Sequence, residues 1–260
     1  MPSAFAQSLA VIAWGAGEII LKHYAAAEGV LARRKDDHSP VTDADEDAEA
    51  FILAGLAKLA PAVAVIAEEE VAAGRVQAIG ARFFLVDPLD GTKEFLSRNG
   101  EFTVNIAEIE NGKPVRGVVF APVKQRMFIG ELGGGAFEIA THPGREPDWN
   151  AARAIHVRAA PADGMIAVAS RSHRDSKTEE YLAQYRVKDF VIAGSSLKFC
   201  LVAAGEADIY PRHGRTMEWD TAAGHAVLLA AGGTMTKLDG TPFVYGKAGF
   251  ANPFFVARGR

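Results

Sequence analysis

Cysteine is nearly absent from this sequence, which holds one, Cys200, among 260 residues. A single thiol forms no disulfide within the chain and supplies no cysteine-rich zinc site, so the chain fits a reducing compartment. An excess of basic residues is also missing, because 28 lysines and arginines stand against 32 aspartates and glutamates, with a formal net charge of -4. This balance argues against a nucleic-acid partner.

The motifs of several other enzyme classes are missing as well. The sequence has no G-x-x-x-x-G-K-[ST] phosphate loop and no H-E-x-x-H zinc motif. Residues 43–47 (DADED) begin like a calcium-binding loop, but Ala48 and Ala54 stand where that loop needs glycine and glutamate. P-loop hydrolases, zinc proteases of this type and calcium-binding loops are therefore excluded.

The N-terminal stretch, from Met1 to Tyr24, is apolar in parts. No basic residues precede it, and Glu18 and Lys22 interrupt it, which argues against a signal peptide and against an integral membrane segment. Its pattern indicates an amphipathic helix in which these two charges face water. The side chains expected to pack inward are Leu9, Ile12, Trp14, Ile19 and Leu21.

The order of predicted elements indicates an α/β protein with two lobes. Residues 1–145 read as two helices followed by a series of strands, which predicts an α+β N-terminal lobe. Residues 146–260 alternate between strand and helix, which predicts an α/β C-terminal lobe. The looser polar stretch 141–150 marks the boundary. Helices are predicted to start at Thr42 or Asp43, at Ser176, at Ser195 or Ser196, and at Asp220.

Two carboxylates follow the most apolar predicted strand. Asp87 and Asp90 come directly after residues 83–86 (FFLV), in a turn where Pro88 fixes one backbone angle and Gly91 permits close approach by a ligand. Asp-Pro and Asp-Gly pairs are ordinary in turns. Two carboxylates this close repel each other, however, unless one is protonated or a cation neutralises them. The turn is therefore a candidate cation site.

Three more acids stand at the ends of predicted elements. Glu68 ends the strand at 63–67, and Asp43 and Asp220 each start a helix, where aspartate is also an ordinary N-cap. If all five carboxylates surround one cavity, their oxygen ligands select a hard cation, with magnesium favoured. A pair of such ions can hold a phosphate and activate a water, which the hydroxyl of Thr92 would position.

Four of these segments, in this order, resemble the motifs of the inositol monophosphatase superfamily of metal-dependent, lithium-sensitive phosphatases. They are residues 40–45 (PVTDAD), 67–69 (AEE), 87–92 (DPLDGT) and 219–224 (WDTAAG). The resemblance spans nearly the whole chain and implies the layered α-β-α-β-α sandwich of inositol monophosphatases and fructose-1,6-bisphosphatases. Further segments resemble the 3'(2'),5'-bisphosphate nucleotidase branch, namely 93–95 (KEF), 194–200 (GSSLKFC) and 210–212 (YPR).

The resemblance implies an activity and a role for each site residue. The reaction would be hydrolysis of the 3'-phosphate of 3'-phosphoadenosine 5'-phosphate to AMP and phosphate, with two or three magnesium ions per active site.

Metal ligands would be Glu68, Asp87, the Leu89 carbonyl, Asp90 and Asp220. The catalytic residues would be Asp43, Thr92 and Glu68, with Asp43 beside Thr92 to orient the attacking water. Substrate contacts would be Gly91, Thr92, His173, Ser195, Lys198 and Arg212. The N-terminal lobe would carry most metal ligands, and the C-terminal lobe the nucleotide contacts and Asp220.

Positive charge near Asp220 favours the bisphosphate branch. A second phosphate needs a cationic partner away from the metals, and residues 212–215 (RHGR) with Lys198 supply one. A solvated loop and a surface lysine are the ordinary alternatives for these residues.

Two other functions stay open at this point. One is inositol monophosphatase or fructose-1,6-bisphosphatase activity, and the other is a catalytically silent nucleotide- or metal-binding regulator. A mere binder has no need for the hydroxyl of Thr92, which argues against the second. The single cysteine, which fits a reducing compartment, leads us to expect a cytoplasmic location. Loose association with the inner membrane surface is an alternative that no basic amphipathic helix in the sequence supports, and the oligomeric state is left open.

Overall fold

The computed structural model describes residues 1–26, 33–34, 40–170 and 176–260. The helices are α1 (Ala4–Ala26), α2 (Asp43–Leu59), α3 (Glu68–Ala72), α4 (Thr92–Leu96), α5 (Ser176–Leu182), α6 (Leu197–Ala203) and α7 (Glu218–Ala230). The strands up to the middle of the chain are β1 (Arg33–Arg34), β2 (Pro40–Val41), β3 (Ala64–Ala67), β4 (Arg82–Asp90), β5 (Thr103–Glu110), β6 (Lys113–Ala121), β7 (Arg126–Glu131), β8 (Gly135–Ala140) and β9 (Arg153–Ile155). The later strands are β10 (Met165–Ser170), β11 (Val187–Ala193), β12 (Ile209–Arg212), β13 (Thr234–Lys237) and β14 (Phe255–Arg258).

Two large sheets alternate with three layers of helices. The first sheet has seven strands in the order β3-β4-β5-β6-β7-β8-β9, and β3–β4 is its one parallel pair. The second has five strands in the order β11-β10-β12-β14-β13. Helices α1 and α2 cover one face of the seven-stranded sheet, α6 and α7 lie between the sheets, and α5 packs on the far side of the five-stranded sheet. This arrangement confirms the predicted α-β-α-β-α fold class.

Alternate residues of β4 belong to different cores. Phe84 and Val86 pack in the core beneath α1 and α2, whereas Phe83 and Leu85 pack in the core formed with α6 and α7. Successive side chains of a strand point to opposite faces, so a strand covered on both faces needs an unbroken apolar run. The run at 83–86 meets that need, and the strand therefore carries its terminal acids rigidly.

Helix α7 lies unusually close to the seven-stranded sheet. A Cβ at Gly117 of β6 would lie 2.4 Å from the carbonyl oxygen of Ala223. A Cβ at Gly130 of β7 would lie 2.4 Å from the Cα of Val227. A side chain at either position would collide with the α7 backbone, so glycine lets the helix lie directly against β6 and β7.

Helix α1 packs inward through a face different in part from the one expected. Leu9 is buried as predicted, but the fully buried isoleucine is Ile20, while Ile19 and Leu21 are only partly buried. The rest of the buried face consists of small residues, Ala6, Ala10, Ala13, Ala16 and Gly17. By length and composition, α1 is the one helix in the described part of the chain that could cross a membrane. Here its apolar face packs against α2 and the seven-stranded sheet.

The predicted elements agree with the structure at most positions. The helix expected from Thr42 or Asp43 to about Leu59 is α2, with Thr42 as its N-cap. Asp220 is the third residue of α7 rather than its cap, which is Met217. The seven-stranded sheet takes its last strand, β9, from beyond residue 145, and the division of the chain at that point stays a prediction.

Candidate active site

The ends of β3, β4 and α7 meet at one cavity of about 410 Å³. Because β3 and β4 are parallel, with Ala67 opposite Val86, the next residues along each chain are neighbours. Carboxylate oxygens of Glu68, Asp87 and Asp220 lie within 4.8 Å of one another. Side chains separated by 152 positions of sequence thus form one acidic cluster.

Ten of the predicted site residues line this cavity. They are Glu68, Asp87, Leu89, Asp90, Gly91, Thr92, Ser195, Lys198, Arg212 and Asp220. Asp43 is not among the lining residues, and His173 lies outside the described residues.

Hydrogen bonds direct the two acids near the C-terminal end of β4, where the pairing with β5 is irregular. The Asp87 Oδ1 accepts the backbone N–H of Leu89 at 3.1 Å, and the Asp90 Oδ2 accepts the Nδ2 of Asn105 at 3.2 Å. Gly91 has φ 100°, a left-handed conformation that glycine adopts without strain, and α4 starts directly after it. The end of β4 therefore holds two carboxylates toward the cavity.

The acidic side of the cavity favours uptake of positive charge. Burial raises the pKa of Asp220 well above its ordinary value, and the charges of Asp90 and Glu68 raise it further. Burial likewise raises the pKa of Asp90 to about 6, against the lowering effects of Lys198 and the Asn105 hydrogen bond. A cation placed among these groups would favour the ionised carboxylates and reverse both shifts.

A basic side completes the cavity. Lys198 of α6 is buried, which lowers its pKa to about 8, and the Asp90 carboxylate opposes that shift. Arg212 stands at the end of β12. The Nε of Arg212 and the Oγ of Ser195 are buried and have no hydrogen-bond partner among the described residues. Buried polar atoms are normally paired, so these two atoms are suited to binding a polar ligand.

The predicted pairing of Asp43 with Thr92 is wrong. The Thr92 Oγ1 donates to the Oδ1 of Asp45 at 3.2 Å, whereas Asp43 is exposed and accepts from the Nη2 of Arg33 at 3.0 Å. Residues two apart on a helix of 3.6 residues per turn point to nearly opposite sides. The buried Asp45 side chain points toward Thr92, and the Asp43 side chain therefore faces solvent.

A capping interaction fixes Asp45 in place. Its Oδ2 accepts the backbone N–H of Thr42 at 2.8 Å and the Thr42 hydroxyl at 2.6 Å, which leaves the Oδ1 for Thr92. The spacing T-x-x-D at a helix start is the signal in the sequence that would have favoured Asp45 over Asp43.

Comparison of the chain with models of known protein families identifies the family to which it belongs. The model of the inositol monophosphatase family matches residues 3–253. The chain belongs to the inositol monophosphatase family. This family is enzymatic and metal-dependent, and the cluster of Glu68, Asp87 and Asp220 offers the carboxylates for a metal. The predicted class of the chain, a phosphatase, is confirmed.

Individual relatives carry more specific names. A Salmonella typhimurium protein named 3'(2'),5'-bisphosphate nucleotidase CysQ is 46% identical over 245 residues, which are 94% of this chain and 95% of the relative. The protein of the same name from Escherichia coli K12 is 44% identical over the same shares. The crystal structure of CysQ from Bacteroides thetaiotaomicron, a bacterial member of the family, has a TM-score of 0.83 and 38% identity, covering 98% of this chain and 96% of that one.

Two residues that hydrogen-bond to the acids, Asn105 and Ser196, were not predicted as site residues from the sequence. Asn105 of β5 donates to both Asp90 and the Ser196 Oγ, at 3.2 and 3.1 Å. The Ser196 Oγ in turn donates to the backbone carbonyl of Asp220 at 2.7 Å. This chain of hydrogen bonds links β4, α6 and α7, and a lone asparagine in an apolar strand is its one sign in the sequence.

Glu49 is the third residue that the sequence did not reveal. It lies on α2 one turn after Asp45, is 3% exposed, and accepts the backbone N–H groups of Glu69 and Glu70, each at 2.8 Å. Burial raises the pKa of Glu49 to about 7, against the lowering effect of these two donors. Its spacing of four from Asp45, on the face that also carries Ile52, was the available signal.

Proposed function

We propose that this chain is a magnesium-dependent 3'(2'),5'-bisphosphate nucleotidase that hydrolyses 3'-phosphoadenosine 5'-phosphate to AMP and phosphate. The observation that carries the proposal is one cavity with an acidic cluster on one side and Lys198 and Arg212 on the other. A metal-bound phosphate fits the first side, and a second phosphate fits the second. The relatives named 3'(2'),5'-bisphosphate nucleotidase CysQ support the same substrate class.

The donor set fits magnesium. Two or three ions would be held by Glu68, Asp87, the Leu89 carbonyl, Asp90 and Asp220, which offer oxygen ligands alone. When bound, magnesium would neutralise the carboxylates, lower the pKa of a bound water and offset the negative charge of the phosphate. Burial makes the ionised forms of Asp90 and Asp220 unfavourable, and bound cations would offset that cost.

Thr92 and Asp45 would orient the attacking water. Asp45 holds the hydroxyl proton of Thr92, so the lone pairs of the Thr92 Oγ1 are turned to accept a hydrogen bond from a water in the cavity. Thr42 fixes Asp45, and the turn at Gly91 fixes Thr92, so the pair is preorganised. Glu68 would accept a hydrogen bond from the other O–H of that water.

The rest of the cavity would bind the nucleotide. Backbone N–H groups of Gly91 and Thr92 would contact the scissile phosphate, and Ser195, Lys198 and Arg212 would hold the second phosphate and its sugar. His173 remains a proposed nucleotide contact outside the described residues. We further propose a cytoplasmic location, in keeping with a buried single thiol, Cys200, and no nucleic-acid partner.

A phosphate-release panel tests the function. Purified enzyme with magnesium should hydrolyse 3'-phosphoadenosine 5'-phosphate with a kcat/KM at least about tenfold above that for inositol 1-phosphate or fructose 1,6-bisphosphate. Excess chelator should stop release, magnesium should restore it, and lithium should inhibit it. Preference for inositol 1-phosphate would replace the proposal with the sister activity. Calorimetric binding of the nucleotide with no turnover would replace it with a silent regulator.

A variant of Arg212 tests whether this residue binds the second phosphate of the substrate. Arg212→Ala should lower kcat/KM for the bisphosphate about 10- to 100-fold, chiefly through KM, because a charge-assisted hydrogen bond of about 1.5–3 kcal/mol is lost. Inositol 1-phosphate, which lacks a second phosphate, should lose less than about threefold. Arg153→Ala is the matched control, because Arg153 pairs with Glu138 on the seven-stranded sheet. An equal loss on both substrates would contradict a role of Arg212 in binding the second phosphate.

A further inference from the structure

Helix α3, which begins with the proposed metal ligand Glu68, has no cap of its own. Its N-cap residue is Ala67, whose side chain offers no acceptor. The helix is five residues long, none of its residues is fully buried, and its first turn consists of three glutamates. The first N–H groups of a helix need acceptors, and three adjacent negative charges repel one another. The start of α3 therefore depends on a group from elsewhere.

Glu49 of α2 supplies that group. Its Oε2 accepts the N–H of Glu69 and its Oε1 accepts the N–H of Glu70, each at 2.8 Å. These are the second and third residues of α3, whose N–H groups an N-cap side chain would normally bind. The Glu49 carboxylate is thus a cap supplied by another helix, and both of its oxygens are used.

Two hydrogen bonds of this cap join α2 to the start of α3 beside an open space. A cavity of about 430 Å³ lies between the two helices and is lined by Glu49, Leu53 and Ala72, among others. Packing there is open, so α3 has room to shift if the hydrogen bonds are lost. One turn earlier on α2, Asp45 binds Thr92. A single helix therefore holds both the water-orienting pair and the segment that presents Glu68.

We propose that Glu49 is a positioning residue that sets the metal affinity of the active site by fixing Glu68 against Asp87 and Asp220. Groups that orient metal ligands through hydrogen bonds typically change metal affinity 10- to 100-fold when altered. The inference deepens the proposed function and rests on the metal site proposed above. Glu49 is not among the described residues that line the active-site cavity.

Titration calorimetry with magnesium alone tests the inference on the full-length, chelator-treated protein. Glu49→Gln keeps the shape of the side chain but points an NH2 donor at one of the two N–H groups, so magnesium affinity should fall about tenfold or more. The magnesium concentration for half-maximal activity should rise by the same factor, while KM at saturating magnesium stays within about twofold. Glu46→Gln is the matched control, because Glu46 has the same charge, lies on the same helix, lines the same second cavity and pairs with Arg33.

Two further variants keep the result interpretable. Ala67→Ser in the Glu49→Gln background gives α3 an N-cap of its own, and it should recover part of the lost affinity. If Glu49→Gln does not fold, Glu49→Asp, which keeps the carboxylate on a shorter side chain, takes its place with the same expected loss.

The outcomes separate the inference from the proposed function. Unchanged magnesium affinity in a folded Glu49 variant, with a lowered melting temperature only, would overturn the positioning role and leave the metal site standing. Failure of the unaltered protein to bind magnesium would overturn the metal site and the inference with it. Equal losses in Glu46→Gln and Glu49→Gln would overturn the inference as well, because they would show a general effect of charge.

Discussion

Replacing Asp90 by asparagine should lower kcat about 10³-fold or more while the fold stays intact. Asp90 is the last residue of β4 and lines the cavity together with Glu68 and Asp220. Loss of a metal ligand removes several kcal/mol of charge stabilisation, and about 4 kcal/mol corresponds to about 10³-fold in rate. Phosphate release measured at saturating magnesium and substrate gives the result directly.

Thermal unfolding adds a second measurement for Asp90. Burial raises the pKa of this carboxyl to about 6, so at pH 7.5 without metal its ionised form destabilises the folded state. Asp90→Asn removes that charge and should leave the melting temperature of the metal-free protein unchanged or higher. Magnesium should raise the melting temperature of the unaltered protein, because a ligand that binds only the folded state shifts the unfolding equilibrium toward it. It should not raise the melting temperature of the variant, which lacks one of the proposed metal ligands.

Asp189→Asn is the control for Asp90→Asn. Asp189 lies on β11, is exposed, and accepts its hydrogen bond from the neighbouring N–H of Phe190. Its variant should keep full activity and the full magnesium response. Turnover at the rate of the unaltered enzyme in Asp90→Asn would show that the metal ligands are assigned wrongly.

Asp45 and Asp43 form the second test, as a pair of variants two residues apart. Asp45→Asn should lower kcat about 10²-fold or more, because an amide no longer draws the Thr92 proton away from the water and general acid–base groups contribute about 10²- to 10⁴-fold. Asp43→Asn should stay within about twofold, since Asp43 is exposed and pairs with Arg33. The kinetics of both variants at saturating magnesium decide between the two aspartates.

Thermal unfolding of the variants shows whether a loss of activity comes from a loss of stability. Asp45 also accepts two hydrogen bonds from Thr42, so Asp45→Asn loses part of a helix cap as well as activity. Thr92→Val leaves that cap in place and should reproduce the loss in kcat. Equal activity in the Asp43 and Asp45 variants would contradict the role that the structure suggests for Asp45.

The acidic cluster could be predicted because each of its members follows or opens an apolar element. Glu68 directly follows β3, Asp87 directly follows the apolar run of β4, and Asp220 lies in the first turn of a helix that is buried almost throughout. Such boundaries are visible in one sequence. The parallel pairing of β3 with β4, which makes Glu68 and Asp87 neighbours, is a contact between distant segments and needed the structure.

The misassignment of Asp43 has a different origin. Residues 43–47 contain four acids, so composition does not say which one faces inward. The direction is set by the N-cap, because the third residue after Thr42 turns back toward it. Glu49 was missed for a related reason, since an acid inside a helix normally faces solvent and its partners are backbone groups of α3.

The strands that escaped prediction are short or close a sheet from outside the alternating pattern. They are β1 (Arg33–Arg34), β2 (Pro40–Val41), β8 (Gly135–Ala140), β9 (Arg153–Ile155), β13 (Thr234–Lys237) and β14 (Phe255–Arg258). β14 runs antiparallel between β12 and β13, although the alternation of strand and helix before it indicates parallel pairing. Residues at the chain end complete the second sheet through partners that no local period reveals.

The position of Asp220 in the cavity depends on two glycines outside it, Gly117 and Gly130, against which α7 packs. Neither residue lines the cavity, yet a single methyl group at either position would push α7 off the sheet and carry Asp220 with it. Alanine, which adds one methyl group, is already too large for both positions. The position of a cavity-lining acid thus depends on two distant residues that have no side-chain carbon at all.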